Sequence, residues 1–175
     1  MRPLLLSIVL LAALAARASA QTPALKPELA GIGFLVGTWE SGTGNVAETG
    51  GTSRGSSTIT PEANGSALLR RDHTDLFDRS GKPSGNFDQI MLIYPEGGTL
   101  HADYTDGDHV IHYTSATVVA GTSVVFTTAP SPSAPSFRLS YVKSDADTLA
   151  VTFEIAPPGQ TTFHPIATGT LHKSG

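Results

Sequence analysis

From Phe34 onward the chain is written in short runs that alternate apolar and polar residues, broken by Gly, Thr, Ser and Pro. A period of two is the mark of a strand with one covered and one wet face. Ten such runs are read, over residues 38–46, 53–60, 67–77, 87–94, 99–105, 108–119, 123–128, 137–143, 148–155 and 162–172. The breaks carry turn chemistry, as in Ser80-Gly81-Lys82-Pro83, Glu96-Gly97-Gly98, Ala120-Gly121 and Asp145-Ala146-Asp147. Helical periodicity is missing after residue 20, apart from room for a short turn before Gly31. Consecutive strands with short turns lose their sticky edges by closing into a barrel, and about ten strands enclose room for one small ligand. The expected fold is all-β: a single up-and-down antiparallel barrel of about ten strands over residues 31–175.

The alternation is clearest in Thr99 to Thr114, TLHADYTDGDHVIHYT. Asp106-Gly107 favours a two-residue hairpin turn. With that loop, Thr105 faces Asp108, Asp103 faces Val110 and His101 faces His112. His101, Asp103 and His112 then share one face, while Leu100, Ala102, Tyr104, Ile111 and Tyr113 share the other, which has the character of a core. Phe137-Arg-Leu-Ser-Tyr141 and Leu149-Ala-Val-Thr-Phe153 also alternate strictly. Their apolar faces coincide if the loop between them is odd in length, for instance residues 144–146, which leaves Arg138 diagonal to Glu154. Three prolines in residues 129–136 mark a loop or lid.

The first twenty residues obey another rule. Arg2 precedes an apolar run from Leu4 to Ala16, and Ala18-Ser19-Ala20 is a small-residue cleavage signal. This is a secretory signal peptide cut after Ala20, so the expected destination is secreted or periplasmic. Residues 21–30 follow as a tether or short helix. The apolar run is too short for a membrane span and nothing later approaches that length, so no membrane partner is expected after cleavage. Loss of Arg2 and Arg17 takes the 11 basic residues to nine against 15 acidic ones, a net charge of −6. That balance argues against nucleic acid as a partner. Cys is absent, so the exported domain relies on packing without disulfides, and any metal site has to use His and carboxylates.

At Phe34-Leu-Val-Gly-Thr-Trp-Glu40 the chain resembles the opening strand of lipocalin-like, calycin-type barrels. In those folds Gly-x-Trp begins the first strand and the Trp plugs one end, which implies structural roles for Gly37 and Trp39. The segments His109-Val-Ile-His-Tyr113, Val124-Val-Phe126, Phe137-Arg-Leu-Ser-Tyr141 and Phe153-Glu-Ile-Ala-Pro-Pro158 resemble secreted bacterial proteins of this type, of uncharacterised function. That likeness covers most of the mature chain and implies a fold without an activity. A more distant likeness is to nitrobindin-type haem barrels, which open with Gly-x-Trp-x-Gly-x-Gly and ligate haem through a late His. Ser41 and Thr43 stand at those glycine positions, with Gly42 and Gly44 displaced by one. His164 and His172 are the late histidines, and neither lies in a matching motif. No cofactor is named by any of these patterns.

Two clusters carry candidate chemistry. His101, Asp103 and His112 offer two imidazoles and a carboxylate, a set suited to zinc or a similar divalent ion with a position open to water. The same set serves as a proton shuttle if Asp103 orients a His. The plain alternative is the wet outer face of a hairpin. The second cluster is Arg70, Arg71, Asp72, His73 and Asp75 on one run. Alternation separates Arg70 and Asp72 from Arg71, His73 and Asp75, and a closed barrel turns one set inward. An inward Arg needs a carboxylate, either an acidic ligand or a protein side chain. Arg138 and Glu154 are cavity groups or a surface ion pair, and Tyr94, Tyr104, Tyr113 and Tyr141 line a pocket or fill a core. The candidate ligand-binding set is Arg70, Asp72, Tyr104, Tyr113, Arg138 and Tyr141. Asn64-Gly65-Ser66 reads as a tight turn, and matters as a glycosylation acceptor only in a eukaryotic secretory route. No nucleophile elbow, phosphate-cradling loop or His-Glu-x-x-His helix is present. Three functions stay open: a small-molecule-binding barrel, an enzyme built on His101, Asp103 and His112, and a structural or interaction barrel with a filled core.

Overall fold

The computed structural model describes residues 23–174 of the chain, and the expected signal peptide lies outside the described residues. A four-residue helix α1 (Pro27–Ala30), with Pro in its first turn, leads to a 3-10 turn at Gly33–Leu35. Strands β1 (Gly37–Ser41), β2 (Gly44–Val46), β3 (Gly51–Glu62), β4 (Ala67–Phe77), β5 (Pro83–Glu96) and β6 (Thr99–Thr105) follow. The rest are β7 (Val110–Val119), β8 (Ser123–Thr128), β9 (Ser136–Asp145), β10 (Thr148–Ala156) and β11 (His164–Lys173). No helix among the described residues is long and apolar enough to cross a membrane.

From β3 to β11 every strand pairs antiparallel with the next. The predicted strand over 38–46 is present as two pieces, β1 and β2, that share one position in the sheet. β1 pairs Trp39 with Lys173 of β11 and with Ser57 of β3. β2 pairs Val46 with Ala167 of β11 and Gly44 with Ser53 of β3. Between the pieces the register against β11 slips by one residue, a bulge that returns Gly44 and Val46 to the inner face. The result is a closed antiparallel barrel of ten strand positions, as the alternation predicts.

The two ends differ. Short turns gather at one end, together with α1 and the 3-10 turn. There Leu29, Ile32, Leu35 and Trp39 are buried to within 1% of complete. The Trp39 indole N–H donates to Leu35 O at 2.8 Å, and Lys173 Nζ lies 5.6 Å from the centre of the Trp39 rings. Lys26 N–H to Gly65 O (2.9 Å) and Gly121 N–H to Gly31 O (2.8 Å) tie the segment down. The stretch leading into the barrel therefore plugs one end, because its apolar residues have no other place to leave water. The longer connections gather at the opposite end and form a mouth. On the barrel wall, Gly55 lets β3 approach β4: a Cβ there would lie 1.9 Å from His73 O.

Two registers differ from expectation. The β6–β7 loop has four residues, 106–109, rather than two. The Asp106 carboxylate accepts the backbone N–H groups of Asp108 (3.1 Å) and His109 (2.8 Å), which widens the turn. Asp103 therefore faces His112 and Thr105 faces Val110, a slip of two that leaves each residue on its predicted face. Likewise Arg138 stands directly opposite Glu154 rather than diagonal to it, with a bulge at Thr148/Leu149.

The plug is expected to contribute to stability like any core. Leu29→Ala should cost about 2–5 kcal/mol, since it empties a fully buried site. Urea unfolding followed by emission of Trp39, the single Trp, reads this as a lower midpoint. An unchanged midpoint would mean that the segment merely leans on the barrel.

Candidate functional site

β4 crosses the barrel wall with Arg70 opposite Ile59 on one side and Met91 on the other, both fully buried. Arg70 and Asp72 therefore point inward, and Arg71, His73 and Asp75 point to solvent. Arg70 is only 6% exposed. Its Nη2 meets Asp72 Oδ2 at 2.7 Å and donates to Gln89 Oε1 at 3.2 Å. Its Nη1 donates to the Tyr141 hydroxyl and lies 3.5 Å from Met91 Sδ. Tyr104 presents its ring 5.9 Å from the guanidinium carbon, and its hydroxyl donates to Asp106 Oδ2 at 3.0 Å. Burial opposes the Arg70 charge, but the oxygens of Tyr141 and Asp72 outweigh it and hold the guanidinium protonated. Burial pushes the hydroxyls of Tyr141, Tyr113 and Tyr104 up, so all three stay neutral.

Five of the six predicted ligand-binding residues thus converge: Arg70, Asp72, Tyr104, Tyr113 and Tyr141. Gln89, Met91 and Ser57 belong to the same cluster and were not singled out from the sequence. Their signal was available as parity, since Phe87, Gln89, Met91 and Ile93 alternate on β5 and Ser57 sits two residues from Ile59 on β3. Arg138 does not join them. It lies between the inward Phe137 and Leu139 and so faces outward. There it holds Glu154 through Nε–Oε2 (2.5 Å) and Nη2–Oε1 (2.7 Å), with its guanidinium 4.5 Å from the Phe163 ring centre.

The interior changes with depth. Towards the plug, Ile59, Leu68, Met91, Ile93 and Ala102 have no exposed surface. From Arg70 towards the mouth, the inward Thr74, Phe87, Gln89, Phe137, Phe153 and Ala167 keep partial exposure, while Leu139 and Ile111 among them are buried. Phe137 and Phe153 stack with ring centres 5.7 Å apart. One wall of this open half is therefore aromatic, and the β3–β4 wall is polar. A hollow of about 480 Å³ at the mouth lies beside Val46, Leu76, Phe77 and Arg79, and Arg70 is not among the residues that line it.

The His101, Asp103 and His112 grouping sits on the outer face of β6 and β7. Asp103 accepts the Tyr94 hydroxyl at Oδ2 (3.0 Å) and contacts His112 Nδ1 at Oδ1 (2.6 Å). His101 instead stacks on Tyr94, ring centres 5.9 Å apart, with its Nδ1 3.7 Å from Glu96 Oε2. The slip of two residues is the reason: it puts His112 opposite Asp103 and leaves His101 opposite Tyr94. No three His, Asp or Glu side chains among the described residues are grouped to hold a metal ion, so these three do not assemble as the predicted ligand set. Of the late histidines, His164 is exposed at the start of β11 and His172 stands opposite Glu40 and Thr148.

No protein-family model matches the chain, and no curated protein matches it. Among solved structures, the chain is similar to Rv2717c from M. tuberculosis, with a TM-score of 0.59 and 14% identity over 87% of this chain and 100% of that one. A weaker likeness, TM-score 0.44 and 13% identity, is to EF1p2_mFAP2b bound to DFHBI, over 84% of this chain and 99% of that one. The first is a likeness of fold, in keeping with the closed antiparallel barrel.

Two outcomes follow from these contacts. Asp72→Ala leaves the buried Arg70 charge without its carboxylate and should cost about 3–5 kcal/mol, whereas Arg70→Met with Asp72→Leu should cost less than the single change. Equal losses in denaturant unfolding would contradict an interior ion pair. On the outer face, His73 bonds Asp88 at 2.8 Å and lies 3.4 Å from Asp75. The Asp88 hydrogen bond, aided by Asp75, raises the His73 pKa above its ordinary 6.5. Protonated His73 therefore stabilises the fold below pH 6.5, and that contribution fades as pH rises through the raised value. The melting difference between wild type and His73→Asn should be fully present below pH 6.5 and shrink as pH rises above it; a pH-independent difference contradicts the pairing.

Proposed function

We propose that the protein is an exported small-molecule-binding barrel of lipocalin-like type whose ligand occupies the open half of the interior, with its inner end at Arg70. One observation carries the reading. Ile59, Leu68, Met91, Ile93 and Ala102 are sealed towards the plug, whereas Thr74, Phe87, Gln89, Phe137 and Phe153, inward on the mouth side of Arg70, keep partial exposure. A barrel used only as a structural block gains nothing from leaving Phe87, Phe137 and Phe153 partly exposed on its inner face, because covering them would bury apolar surface. A predominantly aromatic wall with a few fixed polar groups is the usual composition of a ligand site. The leader-like first twenty residues support export.

The outward Asp103–His112 pair supports an enzyme less well. It lies on an open sheet face, with no enclosed space in which to hold a substrate against it.

Nile red, a neutral apolar dye, tests the binding reading. It should brighten on the wild-type protein in a saturable way. Ala167→Trp places an indole inside the open half and should weaken that binding at least tenfold while leaving the melting temperature within a few degrees. Equal dye binding by wild type and variant, or none by either, would overturn the proposal.

A further inference from the structure

Around Arg70 the interior carries more hydrogen-bonding capacity than the protein itself uses. Arg70 Nε, Asp72 Oδ1, Ser57 Oγ and Ser41 Oγ are all buried and have no hydrogen-bond partner within the protein. They lie on one wall. Ser57 stands directly opposite Asp72 across β3 and β4, and Arg70 is two residues along on the same face. Ser41 follows on β1, the neighbour of β3. Ser57 and Arg70 are 4% and 6% exposed, so bulk water does not serve these atoms. Buried polar atoms left unpaired are costly, and a site that keeps several side by side is matched by a partner with complementary atoms.

The charges narrow the partner. The Arg70 guanidinium is already neutralised by Asp72 at 2.7 Å, and its other neighbours, Tyr141, Gln89, Met91 and Tyr104, are uncharged. A ligand carboxylate would sit beside Asp72 and add an unbalanced negative charge in a poorly solvated place. A ligand ammonium would meet the guanidinium in the same way. What remains unpaired is one strong acceptor at Asp72 Oδ1, one donor at Arg70 Nε, and hydroxyls that serve as either.

We infer that the ligand's inner end is an uncharged donor–acceptor pair held on one rigid group, such as a primary carboxamide or a lactam, attached to an aromatic body. The N–H donates to Asp72 Oδ1, and the carbonyl oxygen accepts from Arg70 Nε or the Ser57 hydroxyl. The aromatic body extends towards Phe137 and Phe153. Of the two carboxylate sources open from the sequence, Asp72 is the one present, so the acidic ligand is replaced by a neutral one; the inference rests on the interior being the binding site.

Three probes of one shape separate the possibilities: 2-naphthamide, 2-naphthoate and 2-methylnaphthalene. Calorimetric titration of the wild-type protein should show 2-naphthamide binding at least tenfold more tightly than either of the others, and it should shift the Arg70 Nε–H resonance. Asp72→Asn frees the Arg70 charge and should reverse the preference towards 2-naphthoate. Should that variant fail to fold, Ser57→Ala should weaken 2-naphthamide several-fold and leave 2-methylnaphthalene unchanged. Tighter binding of 2-naphthoate by the wild type, or equal binding of amide and methyl compounds, overturns the inference. In either case, loss of probe binding in Ala167→Trp would leave the interior pocket standing. If no probe binds, the inference falls, and if Nile red also fails, the binding reading falls with it.

Discussion

Closure of the sheet is the constraint on which everything else in this protein depends. β11 and β3 are joined only through the two short pieces β1 and β2, which pair with both of them. Without that joint the molecule would be an open meander with two unpaired edges and two wet faces. With it, every strand acquires an inside and an outside, and side-chain alternation becomes a division between two solvents. The bulge between β1 and β2 lets Trp39 face the plug while Val46 still faces inward near the mouth.

The inside is not uniform, and the gradient along it gives the molecule its functional character. At the plugged end, Leu29, Ile32 and Leu35 seal the barrel and Trp39 is anchored to the backbone of Leu35. Midway, a charged guanidinium is held in a place where charge is unfavourable. Asp72, Gln89 and the Tyr141 hydroxyl make it tolerable by supplying charge balance and acceptors. Tyrosine suits this depth because its ring packs like a core residue and its hydroxyl reaches the polar centre. Above that level the inward Phe137 and Phe153 stack on each other and stay partly exposed, while β3 and β4 contribute Ser57, Asp72 and Thr74.

Much of this was legible in the chain because a two-residue period is robust. In both hairpins where the predicted register failed, the error was an even number of residues. His101, Asp103 and His112 therefore kept their common face, and Arg138 kept its face relative to Leu139, although the partners across the strands changed. Partner identity was not legible, because it was decided by side-chain chemistry in the loop: Asp106 captures two backbone N–H groups and turns an expected two-residue turn into a wider one. That single carboxylate separates His101 from the Asp103–His112 pair. Gln89, Met91 and Ser57 escaped notice for a different reason. None is unusual in its own run, and they become a cluster only because β3, β4 and β5 bring them to one level around Arg70.

Taken alone, the order of residues determined that the chain forms short strands joined in sequence, which side chains share a face, and that Arg70 and Asp72 travel together. These are local properties, set by backbone pleat and turn chemistry within a few residues. Only the tertiary structure decided which face is the interior, that the guanidinium is already matched in charge, and that the histidines meet water. Those outcomes depend on curvature and closure, in which strands distant in sequence share one enclosed space, and no local pattern carries that information.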